Sequence, residues 1–151
     1  MKRAVLRSDG GARGNPGPGG AGFVIEVDGE IVCRGGRFLG SVTNNIAEYS
    51  ALIWGLRNAH ALGIDELTVL ADSELLVKQL NGQYRVKNEG LKPLFVEAQN
   101  LVRGFGRVEI RHIRREENKA ADALANEAMD LRHTVGDAPV DDEGPAARTL
   151  F

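Results

Sequence analysis

Residues 3–38 read RAVLRSDGGARGNPGPGGAGFVIEVDGEIVCRGGRF, three apolar runs separated by glycine and proline. The first, residues 3–9, is a short strand that runs into Asp9-Gly10-Gly11. Residues 14–20 form a cluster of turn-making Gly and Pro. Strands are expected at 21–28 and 31–38, and Asp28-Gly29 between them is a strong hairpin signal. Three strands joined by tight turns make an antiparallel meander.

After this meander the period changes from two to that of a helix. Ile46, Tyr49, Ile53 and Leu56 fall on one face of a helix over 45–61, and Gly63 lies just past its end. Leu67-Thr68-Val69-Leu70-Ala71 reads as a buried strand. Helices are expected over 73–80 and 91–103, the second with Pro93 in its first turn. A half-buried strand spans 107–113, and a last helix 119–131 follows Asn118 as its N-cap. The order βββαβααβα makes the later strands parallel, because each is reached through a helix. The expected fold is α/β: a five-stranded mixed sheet, three antiparallel strands then two parallel, with helices on both faces.

With 151 residues, 42% hydrophobic and 26% charged, the chain suits one globular unit. Residues 1–132 carry the periodic pattern. Residues 133–151 mix Gly, Pro, Asp and Ala without period, and we expect a mobile tail there. Net charge is −2. Four acids and one base fall in 133–151, so the remaining 17 acids and 18 bases give residues 1–132 a charge of +1. No run approaches the ~18 apolar residues of a membrane helix. A single cysteine, Cys33, precludes an internal disulfide and suggests a reducing, cytoplasmic setting.

Four carboxylates stand out, although each has an ordinary explanation. Asp9 precedes Gly-Gly and can initiate a turn. Asn45-Ile46-Ala47-Glu48 fits a capping box. Asp72-Ser73 falls where a helix N-cap belongs, and Asp122 can be one more charge on a solvated helix face. Their joint placement points elsewhere. Asp9 and Asp72 both end strands, where ligands gather in open α/β sheets. Glu48 lies in the first turn of its helix, and Asp122 sits among Ala120, Ala121, Ala123 and Ala125, small residues that allow close approach to a sheet. Four acids brought together demand hard divalent cations, Mg²⁺ above all. Such a cage suits phosphodiester cleavage.

The blocks Asp9 to Gly20 (DGGARGNPGPGG), Thr43-Asn44-Asn45-Ile46-Ala47-Glu48, Asp72-Ser73 and Asn118-Lys119-Ala120-Ala121-Asp122 resemble, in order, those of the ribonuclease HI family. The resemblance spans roughly residues 3–131. It implies a ribonuclease H-like fold and an endoribonuclease that cuts the RNA strand of RNA–DNA hybrids. Two Mg²⁺ ions, with Mn²⁺ as the alternative, would leave 5′-phosphate and 3′-hydroxyl ends. Asp9 would bridge both ions, Glu48 and Asp72 would complete one site, and Asp122 the site of the attacking water. Asn15, Asn44 and Asn45 match positions that touch the hybrid around the minor groove. Glu48 and the backbone at Gly10-Gly11 match those that sense 2′-hydroxyls, and Thr43 matches a binder of a DNA-strand phosphate. A monomer is the simplest expectation.

Two departures qualify the match. The loop Arg114-Arg115-Glu116-Glu117 lacks the histidine of the best-known bacterial form. His112, within the expected strand, is not its counterpart, so Arg114, Arg115 or Glu116 would have to substitute. Residues 81–90 are too short for the basic helix of that form and offer only Arg85 and Lys87 beside Tyr84, so fewer phosphates would be neutralised. Three rival readings remain open: a DNA resolvase of the same architecture, a non-catalytic hybrid-binding module, and a Gly-rich nucleotide-binding domain. Asn44-Asn45 disfavours the first, and retention of four clustered acids disfavours the second. The absence of a Gly-x-x-x-x-Gly-Lys motif disfavours the third.

Overall fold

The computed structural model describes residues 2–140. The chain runs β1 (Arg3–Ala12), β2 (Gly17–Val27), β3 (Glu30–Val42), α1 (Asn44–Ala61), β4 (Glu66–Ala71), α2 (Glu74–Leu80), α3 (Lys92–Arg103), β5 (Arg107–His112), α4 (Lys119–Leu131) and β6 (Val135–Gly136). One sheet holds all the strands in the order β5-β4-β1-β2-β3-β6. β1 to β3 pair antiparallel, and β4 and β5 continue parallel from the free side of β1.

The α/β class and mixed sheet follow the expectation, but among the described residues there are six strands rather than five. The sixth is the short Val135–Gly136, antiparallel to Gly35 and Gly36 of β3. Packing therefore continues past residue 132. The Val140 carbonyl accepts from Trp54 Nε1 at 2.6 Å and from Asn58 Nδ2 at 3.1 Å. Residues 141–151, the rest of the segment expected to be mobile, lie outside the described residues.

β2 begins at Gly17, inside the stretch read as a turn cluster. Gly20 and Gly22 serve extended backbone under a helix rather than a turn. At the β2–β3 hairpin the expectation holds: Asp28 and Gly29 take φ values of 53° and 80°, both in the left-handed region a tight hairpin uses.

The two faces of the sheet are covered differently. On one, Leu6, Phe23, Ile25 and Val69 pack under α1, which is buried nearly all round through Leu52, Ile53, Trp54 and Leu56. Phe23 and Trp54 meet edge to face with ring centroids 4.8 Å apart. α3 packs beside α1, and α2 leans on it through a buried 2.6 Å hydrogen bond from Tyr49 Oη to Gln79 Oε1. On the other face α4 lies across β2 and β3. Beyond its reach that face carries ion pairs, Arg7 with Glu26 and Arg3 with Glu66.

Candidate active site

Two close backbone approaches build the site. Gly10 of β1 lies so near α1 that a β-carbon there would sit 2.2 Å from the Ala47 carbonyl oxygen and 2.6 Å from Glu48 N. On the opposite face a β-carbon at Gly22 would sit 2.2 Å from the Ala121 oxygen. No real side chain tolerates either distance. Bare backbone at these points lets α1 deliver Glu48, and α4 deliver Asp122, to the end of β1, where Asp9 stands. β4 runs parallel beside β1 and ends at Ala71, so Asp72 follows at the same edge.

The structure brings the four acids to one cleft of about 580 Å³, lined also by Gly10, Gly11, Arg13, Asn44, Arg115 and Asn126. One carboxylate oxygen from each of Asp9, Glu48 and Asp72 lies within 4.8 Å of the others. Asp122 lines the same cleft, near enough to Asp9 to help hold its proton. The ordinary explanations for two of these acids do not apply. Thr43 caps α1, accepting from Ile46 N at 3.3 Å, so Glu48 is not required there. Ser73 caps α2, accepting from Leu76 N at 3.2 Å, which leaves Asp72 without a capping duty.

The electrostatics are those of acids waiting for a counter-charge. Burial is the main cause that holds the Asp9 carboxyl far above its ordinary range. The Asp122 carboxyl beside it and the charges of Asp72 and Glu48 add to it. Glu48 is pushed up to about 7, again by burial first and by Asp72 as well, while the Ser73 hydroxyl and Arg115 pull it back. Asp72 Oδ2 is buried with no hydrogen-bond partner among the described residues. An unpaired buried carboxylate oxygen beside two proton-holding carboxyls is a donor set of hard oxygens that fits a divalent cation.

The other expected contact residues form the rim. The Asn44 side chain accepts from Ala12 N at 2.8 Å, and the Asn44 main-chain N–H donates to Asn15 Oδ1 at 3.0 Å. These bonds pin the exposed loop carrying Asn15 to the start of α1. Asn45 is half-buried beside them, and Gly11 lines the cleft. Thr43 stands at the same helix start, its hydroxyl engaged as the cap. His112 is exposed at the end of β5, and the loop residue lining the cleft is Arg115.

Sequence reasoning passed over Ser73 as a partner of Glu48, and Arg13 and Asn126 as wall residues. Asn126 was accessible by spacing, four residues after Asp122 on one helix face. Asn118, expected to cap α4 with its side chain, instead turns inward, donating Nδ2 to the Ser8 carbonyl at 2.9 Å.

A family model described as reverse transcriptase-like matches residues 7–128. Among curated relatives, a bifunctional protein of Mycobacterium tuberculosis is 43% identical over 130 residues, covering 85% of this chain and 36% of its own. A ribonuclease HI of Halobacterium salinarum is 46% identical over 123 residues, 81% of this chain and 62% of that protein. The chain thus spans about a third of the mycobacterial relative and under two thirds of the haloarchaeal one. The solved structure of LC11-RNase H1 in complex with an RNA/DNA hybrid superposes with a TM-score of 0.81 at 40% identity, covering 85% of this chain and 98% of that one.

Proposed function

The chain belongs to the ribonuclease HI family, and from that premise we propose that it is an endonuclease hydrolysing the RNA strand of RNA–DNA hybrids. The observation that carries this reading is the convergence of Asp9, Glu48, Asp72 and Asp122, from two strand ends and two helices, on one cleft. A relative of the same fold is known bound to an RNA/DNA hybrid, which supports the substrate class.

Asp9, in the middle of the cluster, would serve two divalent ions, with Glu48 and Asp72 on one side and Asp122 on the other. Bound there, Mg²⁺ or Mn²⁺ supplies charge neutralisation and polarises water and phosphate for in-line displacement. The protein's own part is to hold four oxygens in place from rigid elements, so that little reorganisation remains for the reaction. Gly10 and Gly11, with no side chains, let a sugar edge approach the backbone beside Glu48. There a 2′-hydroxyl distinguishes RNA from DNA. Asn15, Asn44 and Asn45 on the rim take the minor groove, and Thr43 a DNA-strand phosphate. Arg115 stands in for the loop histidine as the one cation of that loop lining the cleft. Residues 1–132 form the catalytic unit, acting as a monomer in the cytoplasm.

The deciding test is incubation with a labelled RNA–DNA hybrid, with and without Mg²⁺, beside single strands and both homoduplexes. Cutting of the hybrid's RNA alone, metal-dependent and leaving 5′-phosphates, is expected. Cutting of duplex DNA would assign a resolvase instead, and tight hybrid binding with no cutting a non-catalytic module.

A further inference from the structure

Asn118 is fully buried, and it holds both chain segments that carry the Asp9–Asp122 pair. Its side-chain amide donates to the carbonyl of Ser8, the residue before Asp9, at 2.9 Å. Its main-chain carbonyl accepts from the amide of Asp122 itself at 3.1 Å. One residue thus joins the end of β1 to the first turn of α4. Ser8 and Ala71 form the last pair of the β1–β4 ladder, so beyond that point β1 has no further β4 residue to hold it. The Asn118 amide supplies a bond at the position where regular pairing stops and Asp9 begins.

The orientation of the amide is forced, because a carbonyl oxygen can only accept. Nδ2 must therefore face Ser8, and Oδ1 is left buried with no partner among the described residues. The bond also takes the side chain away from capping α4, which a less committed Asn at that position would do.

We propose that Asn118 is a positioning residue that sets the gap between Asp9 and Asp122, and with it the divalent-ion affinity of that half of the cluster. This rests on the ribonuclease H reading of the same site. Asn118 touches none of the reacting atoms and acts through the two acids it spaces. Groups that orient metal ligands from behind are typically worth about 10–100-fold in metal affinity or activity.

The test uses the full chain with Asn118→Asp, which keeps the volume but has no N–H to offer Ser8, and Asn118→Ala. Mn²⁺ binding to the substrate-free protein is measured by calorimetry, and kcat and KM on a hybrid are measured separately. Expected are Mn²⁺ binding weakened about tenfold or more and kcat lowered by a similar factor. KM should stay within about threefold, because the rim that grips the hybrid is untouched. Unchanged Mn²⁺ affinity and kcat in a folded variant would overturn the proposal. So would loss of folding in both variants, which would assign Asn118 to stability alone. Should the wild type fail to cut hybrids, the nuclease reading falls, and the calorimetry still decides whether Asn118 tunes the metal site.

Discussion

Gly22 of β2 and Ala121 of α4 are in direct backbone contact, with no space between them for even a methyl group. Gly20 and Gly36 repeat the relationship at the Ala125 and Leu124 carbonyls, where a β-carbon would fall 2.6 Å and 2.3 Å away. The helix is thus seated on a strip of bare sheet, and its height above the sheet, together with the Asn118 tie to Ser8, bears on how far Asp122 stands from Asp9.

Gly22→Ala should therefore cost more than an ordinary added methyl. Overpacking of this kind destabilises by about 1–3 kcal/mol. The larger effect should be on turnover, because α4 can relieve the clash by lifting and taking Asp122 with it. Thermal melts and kcat, both measured where the variant is folded, separate the two. A variant that loses stability but keeps full kcat would show that the height of α4 is not what places Asp122.

Asp9→Asn should abolish cleavage and leave the fold intact. In metal-free buffer near neutral pH it should raise the melting temperature, because it removes a buried acid from among like charges. Added Mg²⁺ should stabilise the wild type and have much less effect on the variant. Full activity in Asp9→Asn would remove the metal-cage account altogether.

The two raised carboxyls give the metal-free protein a definite pH dependence. An unfolded chain releases the Asp9 and Glu48 protons near their ordinary values, 3.8 and 4.5, whereas the folded chain keeps them longer, Glu48 until about 7 and Asp9 higher still. The folded state binds more protons, so stability falls as pH rises. It is fullest below about pH 4, and the Glu48 share is lost as pH climbs through about 7. Urea melts with chelator across that window should show the decline, and saturating Mg²⁺ should flatten it. A metal-free protein that grows more stable from pH 5 to 8 would contradict the proton-holding cluster.

Arg115→Ala should lower turnover by about a hundredfold, the low end of what a donor placed at the reacting groups contributes. Glu116→Gln should change little, because Glu116 is exposed and does not line the cleft. If neither substitution alters kcat, the loop has no part in the reaction.

Removing residues 138–151 should destabilise the protein without touching the chemistry. Trp54 Nε1 would lose its 2.6 Å acceptor, and the fully buried Asn58 would lose the bonds it makes to the main chain of Val140. Orphaned buried polar groups cost about 1–3 kcal/mol each. Comparison with a chain ending at Val140 isolates this effect, and hybrid cleavage at low temperature should be equal in the two. An unchanged melting temperature would mean that the docked segment contributes nothing.

The sequence disclosed the four acids and the element order because both rest on strong local signals. A period that switches from two to 3.6 reveals the order, and carboxylates at strand ends reveal the site. It concealed the start of β2, since Gly17 to Gly20 has the composition of a turn. Gly20 is bare because α4 lies on it, while Gly17 and Gly19 crowd the Arg13 backbone and the Val42 side chain, all facts of tertiary packing. β6 was hidden for a different reason: two residues carry no period. Capping was misassigned around Glu48 and Asn118 because Thr, Asn and Ser are all competent caps. Only geometry shows that Thr43 does the work at α1 and that Asn118 turns inward.

Asp9 lies in β1 and Asp122 in α4, so the order in which the cluster is completed is also an order in time. A ribosome releases the Asp9 end of β1 before the rest of the cluster: that strand gains its β4 neighbour some sixty residues later and its α4 acid only after about fifty more. A nascent or truncated product that stops short of α4 holds three acids at most. On the nuclease reading, such a product would have an incomplete cluster and would not cut.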